Sequence, residues 1–215
     1  VKLAKAFYLY DELVKLAAEA GERLPDSPTR RVGGAVLPGF EPHTHLARLW
    51  SMGKAQSIEE LEAWAKRAEK LMKETELPEP EYVVEHKFDG LTINLTYQNG
   101  QLIQAATRGN GEVGEGILPQ VRTIRCVPLT IPYKGLLEVQ GECIMRLSTL
   151  EKYNKTAKEP LKNPRNAAAG ALRNLDPAVT ASRNLDAFFY QVGTIENPPY
   201  DTQEGMLAFL RENGF

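Results

Sequence analysis

Residues 85–90 read Glu-His-Lys-Phe-Asp-Gly, which puts a lysine two positions before an aspartate and three before a glycine. A lysine amine held at a strand end can attack a bound electrophile. At its ordinary pKa of about 10.4 the amine is protonated and inert at neutral pH, so burial or a nearby cation must favour the free base. Arg108, at the far end of the hairpin that begins here, is a candidate for that cation. The same residues would also suit a surface strand ending in a Lys-x-Asp-Gly turn, and both readings stand at this point. A second pattern, Gly109-Asn110-Gly111-Glu112-Val113-Gly114, satisfies GxGxxG. A dinucleotide loop of that kind opens a helix whose amino end faces the pyrophosphate. Here Glu112 and Glu115 would set carboxylates beside that anion, Pro119 interrupts the segment, and the acid expected about 20 residues on is missing. The pattern is therefore read as a decoy. A third feature is charge: from Arg146 to Arg183 there are eight Lys/Arg against three acids, a net of +5 on a chain whose formal charge is −2. Such a stretch is either a solvated helix face or a surface that meets phosphates.

These residues need elements to hold them. The clearest helix is expected over 57–74, where Ser57 and Glu60 make a capping box. Ile58, Leu61, Ala65, Ala68, Leu71 and Met72 form its apolar stripe, and Pro78 and Pro80 stop it. The period then changes. Residues 82–87 read as a strand, and Leu91, Ile93, Leu95 and Tyr97 alternate with Thr92, Asn94 and Thr96, giving an apolar and a polar face. Asn99-Gly100 is a strong hairpin signal, with 102–107 as the returning strand. Further strands are expected at 136–139, 143–145 and 187–192, and helices at about 148–158, at 164–174 behind Asn163-Pro164, and at 202–213 from a box Asp201…Glu204 to Asn213-Gly214. At the amino end 1–20 reads as a helix, followed by the turn-rich connector Pro25-Asp26-Ser27-Pro28-Thr29 and by Gly33-Gly34. The class is α+β, an antiparallel sheet with flanking helices.

Composition narrows the function classes. The chain has 215 residues, of which 42% are hydrophobic and 25% charged, as in ordinary globular proteins. No apolar run approaches 18 residues, so no membrane helix and no membrane partner are expected. Two cysteines, Cys126 and Cys143, do not make a four-ligand zinc site or a disulfide scaffold. Without a signal-peptide pattern a cytoplasmic protein is expected, and a chain beginning at Val1 reads as a fragment.

Several segments together resemble a known family. Lys87-Phe88-Asp89-Gly90 resembles the KxDG motif of covalent nucleotidyltransferases. Pro25-Asp26-Ser27-Pro28-Thr29 with Arg31-Val32-Gly33-Gly34 is similar to the PDSPTxRVGG segment of bacterial NAD-dependent DNA ligases. Thr107-Arg108-Gly109-Asn110-Gly111 with Gly114-Glu115 resembles their TRGDGxxGE, and residues 163–173 their NPRNAAAGSLR. The resemblance implies the adenylation domain of such a ligase: an antiparallel-sheet, ATP-grasp-like nucleotidyltransferase core over 26–215 behind a truncated helical subdomain over 1–25. It implies Lys87 as the nucleophile that takes AMP from NAD, and Asp89 as a residue of the later steps, acting through Mg2+. Glu85 and Tyr190 would recognise adenine. Ser51 and Met52 would contact the adenosine half, Arg108 would lie near ribose and phosphate, and Glu142 would hold the ribose. Tyr10 would serve the nicotinamide mononucleotide half. Arg165 and Arg173 would face nicked double-stranded DNA and the reacting phosphates.

The resemblance further implies a monomer active in DNA replication and repair. It places additional lysine motifs, an OB-fold, a four-cysteine zinc module, a helix-hairpin-helix region and a BRCT domain beyond this piece, so this piece should be weakly active or inactive by itself. The departures are Asn110 for the aspartate of TRGDG, Gly53 where an acid is common, and Gly116 for a polar residue. Two other readings share the central motif. One is an ATP-dependent ligase or capping relative, which should lack the PDSPTxRVGG segment. The other is a catalytically dead nucleotide- or DNA-binding domain.

Overall fold

The computed structural model describes residues 39–75, 77–78 and 81–215, together with the helical positions Leu9, Glu12 and Leu16. The rest of the expected first helix with Tyr10, and the segments 25–29 and 31–34, lie outside the described residues. A four-stranded antiparallel sheet carries the fold, in the order β3-β2-β5-β6, where β2 is Leu91–Gln98, β3 Gln101–Thr107, β5 Leu137–Ile144 and β6 Asp186–Ile195. A two-stranded sheet pairs β1 (Pro42–Thr44) with β4 (Val113–Glu115). The helices are α1 (Ile58–Glu74), α2 (Leu118–Val121), α3 (Leu147–Asn154), α4 (Pro164–Leu172), α5 (Pro177–Ser182) and α6 (Gln203–Glu212). The mixed, antiparallel class expected from the sequence is the class observed.

Period-two alternation in β2 sorts its side chains. Ile93, Leu95 and Tyr97 join Leu137, Val139 and Cys143 of β5 in one apolar cluster. That cluster also takes in Ala167, Ala168, Ala171 and Leu172 of α4 and Met206, Phe209 and Leu210 of α6. Small residues on α4 let the helix backbone approach closely, while α6 brings larger side chains. Asn99 and Gly100 both adopt positive φ, as a tight hairpin between right-twisted strands requires. At Gly90 the requirement is close approach: a Cβ there would run into the carbonyl oxygen of Cys143 on β5.

Local signals set most helix ends. Ser57 Oγ accepts from the Glu60 amide at 3.2 Å, and Asn163 Oδ1 from the Asn166 amide at 3.1 Å ahead of Pro164. The last helix departs by one residue, since Thr202 rather than Asp201 is its cap, accepting from the Gly205 amide at 3.1 Å. The runs expected at 136–139 and 143–145 merge into the single strand β5, Leu137–Ile144, because β2 and β6 both pair with residues 140–142 between them. The short elements β1, β4, α2 and α5 were not expected.

Residues 82–87 do not form the expected strand: among the described residues no strand pairs with them, and Val84 is 96% exposed. β-branched composition alone does not supply a ladder partner. The stripe of α1 is only partly covered by the described residues, with Ala65, Ala68 and Met72 half-buried and no side chain of the helix fully buried, and the Trp64 ring lies 5.7 Å from that of Tyr82. No helix among the described residues is long and apolar enough to cross a membrane.

The difference between an extended run and a true strand is measurable. Leu95→Ala should cost about 2–5 kcal/mol in urea unfolding, because Leu95 is fully buried. Val84→Ser should change stability by less than about 0.5 kcal/mol.

Candidate active site

The second face of the sheet is polar yet covered. Registered pairs put Thr92 opposite Glu142, Asn94 opposite Gln140, and Thr96 opposite Glu138, and directly paired residues share a face. Over this face lies a cavity of about 590 Å³, lined by Leu49–Met52, Lys87–Asp89, Thr92, Arg108, Gln140, Glu142, Arg165, Tyr190 and Gln191. Its volume falls within the range of small-molecule sites. Of the residues singled out in the sequence, Ser51, Met52, Lys87, Asp89, Arg108, Glu142, Arg165 and Tyr190 all meet here.

Each arrives on a different element. Lys87 and Asp89 precede β2, and Gly90 presses that entry against β5. Glu142 stands on β5, and Arg108 follows β3. Tyr190 occupies a β-bulge: Gly141 pairs with Phe189 and Gln140 with Gln191, leaving Tyr190 as the extra residue. A bulge re-aims a side chain that regular alternation would direct elsewhere. Arg165 stands in the first turn of α4. The wall 49–52 is tied down by backbone bonds from the Leu49 amide to the Gly111 carbonyl, 2.8 Å, and from the His45 amide to the Glu112 carbonyl, 2.9 Å. The GxGxxG segment is thus a turn leading into β4, with no helix behind it, and it braces a cavity wall. Asn110 supports that turn by accepting from the Glu112 and Val113 amides at 2.9 and 2.8 Å.

Electrostatics distinguish the two lining carboxylates. Burial pushes the Glu142 carboxyl above its usual range, against the Thr92 hydroxyl that donates to it at 3.1 Å and the charges of Lys87 and Arg165. Asp89 stays exposed and accepts from Arg165 Nη1 at 2.8 Å. Arg108 donates to Ser51 Oγ at 3.1 Å, joining the end of β3 to the 49–52 wall. Burial, then the Glu142 charge, pushes the Tyr190 phenol up, opposed by Thr92 and Arg108. The Phe88 ring stacks on Phe188 at 4.0 Å with an interplanar angle of 7°, which leaves Lys87 and Asp89 flanking an anchored side chain. The arrangement offers an amine, two arginines, an aromatic surface and a buried hydrogen-bond acceptor, the set needed to hold a phosphorylated aromatic base with its sugar.

Three residues stand apart from this group. Glu85 does not line the cavity and accepts from Gln203 Nε2 of α6 at 2.7 Å. Arg173 turns to Glu115, donating from Nε at 2.9 Å to a carboxylate that is buried. Tyr10 lies outside the described residues. Conversely, Leu49, Trp50, Thr92, Gln140 and Gln191 line the cavity without having been singled out, as does Phe88, which was named only as part of its motif. Thr92 was detectable as the member of the polar face of β2 nearest to Lys87, and Gln140 as the residue two before Glu142. Trp50 carried no such signal.

Residues 37–215 match the family model described as NAD-dependent DNA ligase adenylation domain. The chain is 62% identical over 207 residues to a protein of Alkaliphilus oremlandii named DNA ligase, covering 96% of this chain and 31% of that protein. It is 56% identical to a protein of the same name from Alkaliphilus metalliredigens, with the same coverage. It is 55% identical over 213 residues to one from Finegoldia magna, covering 96% of this chain and 32% of that protein. The chain therefore belongs to the NAD-dependent DNA ligase adenylation domain family, and it spans about a third of the length of these relatives. Membership in an NAD-dependent family disfavours the ATP-dependent and non-enzymatic readings.

The raised Glu142 pKa makes a signed prediction. An acid whose folded pKa exceeds its unfolded value favours the folded state most when protonated, and that contribution is lost as pH rises through the folded pKa. Wild type should therefore lose stability relative to Glu142→Gln as pH climbs out of the ordinary carboxylate range. Paired thermal melts across pH would show this, and a pH-independent difference would contradict it.

Proposed function

We propose that this core carries out the lysine-adenylation step of DNA ligation with NAD as the AMP donor. What supports the reading is one observation: in a chain of this family, Lys87 shares a single cavity with Arg108, Glu142, Tyr190 and Arg165. The free amine of Lys87 attacks the α-phosphorus of NAD. The bond from that phosphorus to the bridging oxygen breaks, its electron pair leaves with nicotinamide mononucleotide, and the amine proton passes to solvent. A lysine–AMP phosphoramidate remains, and in the whole protein the AMP goes on to the 5′-phosphate of nicked double-stranded DNA.

The other residues have roles suited to their chemistry. Tyr190 supplies a face for the adenine ring, and Glu142, with Thr92 already on one oxygen, accepts from a ribose hydroxyl. Ser51 and Met52 form the opposite wall. Arg108 and Arg165 stabilise charge that develops on the phosphoryl oxygens, and this matters most in the transition state. Glu85 reads the adenine edge only after leaving Gln203. Arg173 acts through Glu115, bracing β4, while Arg165 and the exposed Lys152, Lys155, Lys158 and Lys162 of the basic stretch face DNA phosphates. Tyr10, in a helical subdomain over 1–25 ahead of a nucleotidyltransferase core over 26–215, serves the nicotinamide half. Exposed Asp89 is a fitting ligand for Mg2+, which takes one or two carboxylates with substrate phosphates. When bound, Mg2+ would neutralise phosphate charge.

The test uses the full-length protein with NAD and Mg2+. Intact mass should rise by one AMP, and neither Lys87→Ala nor Lys87→Arg should gain it, since a guanidinium does not deprotonate to attack. Undiminished adenylation of Lys87→Ala would overturn the assignment. Arg108→Ala should slow single-turnover adenylation by roughly 10²–10³-fold, the usual loss for one transition-state donor.

A further inference from the structure

Behind the cavity, on the same polar face, sits a cluster that adenylation does not use. His43 and His45 occupy alternate positions along β1 and its continuation, so their side chains share one side of the chain. Together with Glu138 of β5 they bring one ligand atom each to within 4.8 Å of one another. Glu138 is fully buried. Its carboxylate accepts from the Leu46 amide at 3.2 Å, Asn94 Nδ2 at 2.9 Å and the Thr194 hydroxyl at 3.1 Å, all neutral donors. No lysine or arginine among the described residues makes an ion pair with it. A buried carboxylate of this kind calls for a cation.

Several neighbouring polar atoms lack hydrogen-bond partners. His45 Nε2 lies 3.2 Å from the Arg108 carbonyl, which accepts only, so this nitrogen carries the proton. Its Nδ1 then accepts from Asn94 Nδ2 at 3.2 Å, so rotation of that amide frees the lone pair. His43 Nε2, Asn94 Oδ1 and Thr96 Oγ1 are buried without any hydrogen-bond partner, and Asn94 and Thr96 are themselves almost fully buried, at 1% and 4% exposed.

We propose that His43, His45 and Glu138, with Asn94 Oδ1 after rotation of its amide, form a site for one divalent transition-metal ion of the zinc class. Two imidazoles select such an ion over Mg2+ or Ca2+. Bonds of about 2.0–2.1 Å put tetrahedral ligands roughly 3.4 Å apart, so the side chains draw inward on binding. The ion is structural: it ties β1 to β2 and β5 directly beneath the Arg108 carbonyl and the start of the 46–52 wall. This proposal is independent of the adenylation reading.

The experiment uses the 215-residue chain after EDTA treatment, titrated with Co2+ and then with Zn2+. Wild type should bind one equivalent, with visible Co2+ absorption displaced by Zn2+ and a melting temperature raised by Zn2+. His43→Gln and Glu138→Gln should each weaken binding at least about tenfold, the lower bound for even an outer-shell loss, and abolish the Zn2+-induced rise. His86→Gln, which removes the remaining histidine, should change neither. Failure of wild type to bind, binding unchanged in a folded His43→Gln protein, or binding lost in His86→Gln would each overturn the proposal.

Discussion

The pairing register of β2 with β5 is the constraint on which everything else depends. It sets Thr92 against Glu142, Asn94 against Gln140 and Thr96 against Glu138, so that one face of a buried sheet is polar from end to end. A slip by one residue would exchange this face with Ile93, Leu95 and Tyr97 and destroy both the cavity and the core. Two features hold the register. The apolar residues have a large cluster to enter on one side only, and the Gly90 backbone meets the Cys143 carbonyl so closely that no other residue fits there. The glycine that ends the Lys-x-Asp-Gly motif is therefore a packing device that fixes where the lysine stands.

Charge is distributed over this scaffold by depth. Asp89 and Arg165 pair in the open, at 73% and 58% side-chain exposure, where an ion pair contributes little to stability and separates readily for a ligand. Arg173 and Glu115 form the more enclosed pair, one partner almost fully covered, and it joins the end of α4 to β4. Glu142 is buried next to Lys87 and Arg165 without a direct salt bridge to either among the described residues, and burial outweighs their attraction. The site thus holds a carboxyl group kept in reserve for a ligand's hydrogen-bond donors, at some cost to the folded protein.

Loops complete the cavity through backbone bonds more than through side chains. The wall 45–52 has almost no regular structure, yet Gly111 and Glu112 carbonyls accept its amides and Glu138 accepts another. The turn 109–112 can perform this service because Asn110 satisfies its own free amides. Side-chain capping leaves the carbonyls of the turn free to face outward.

Much of this was legible in the residues alone. Alternation defined β2, Asn99-Gly100 the hairpin, Ser57 and Asn163 the starts of two helices, and the spaced motifs the family and most of the cavity lining. These are local signals, governed by backbone geometry, caps and period, and they survive without knowledge of neighbours. Tertiary structure decided the rest. Residues 82–87 had the composition of a strand but no partner, and pairing is not a property of one segment. Arg173 and Glu85 had the right charges for a ligand site but met Glu115 and Gln203 first, because side-chain destination depends on what packs nearby. Tyr190 reached the cavity through a bulge, and Glu138 met His43 and His45 through pairings across about 90 residues of chain. Composition and spacing specify which groups exist and which face of an element they occupy. Only the packed sheet decides which of them meet, because that choice rests on burial and long-range hydrogen bonds.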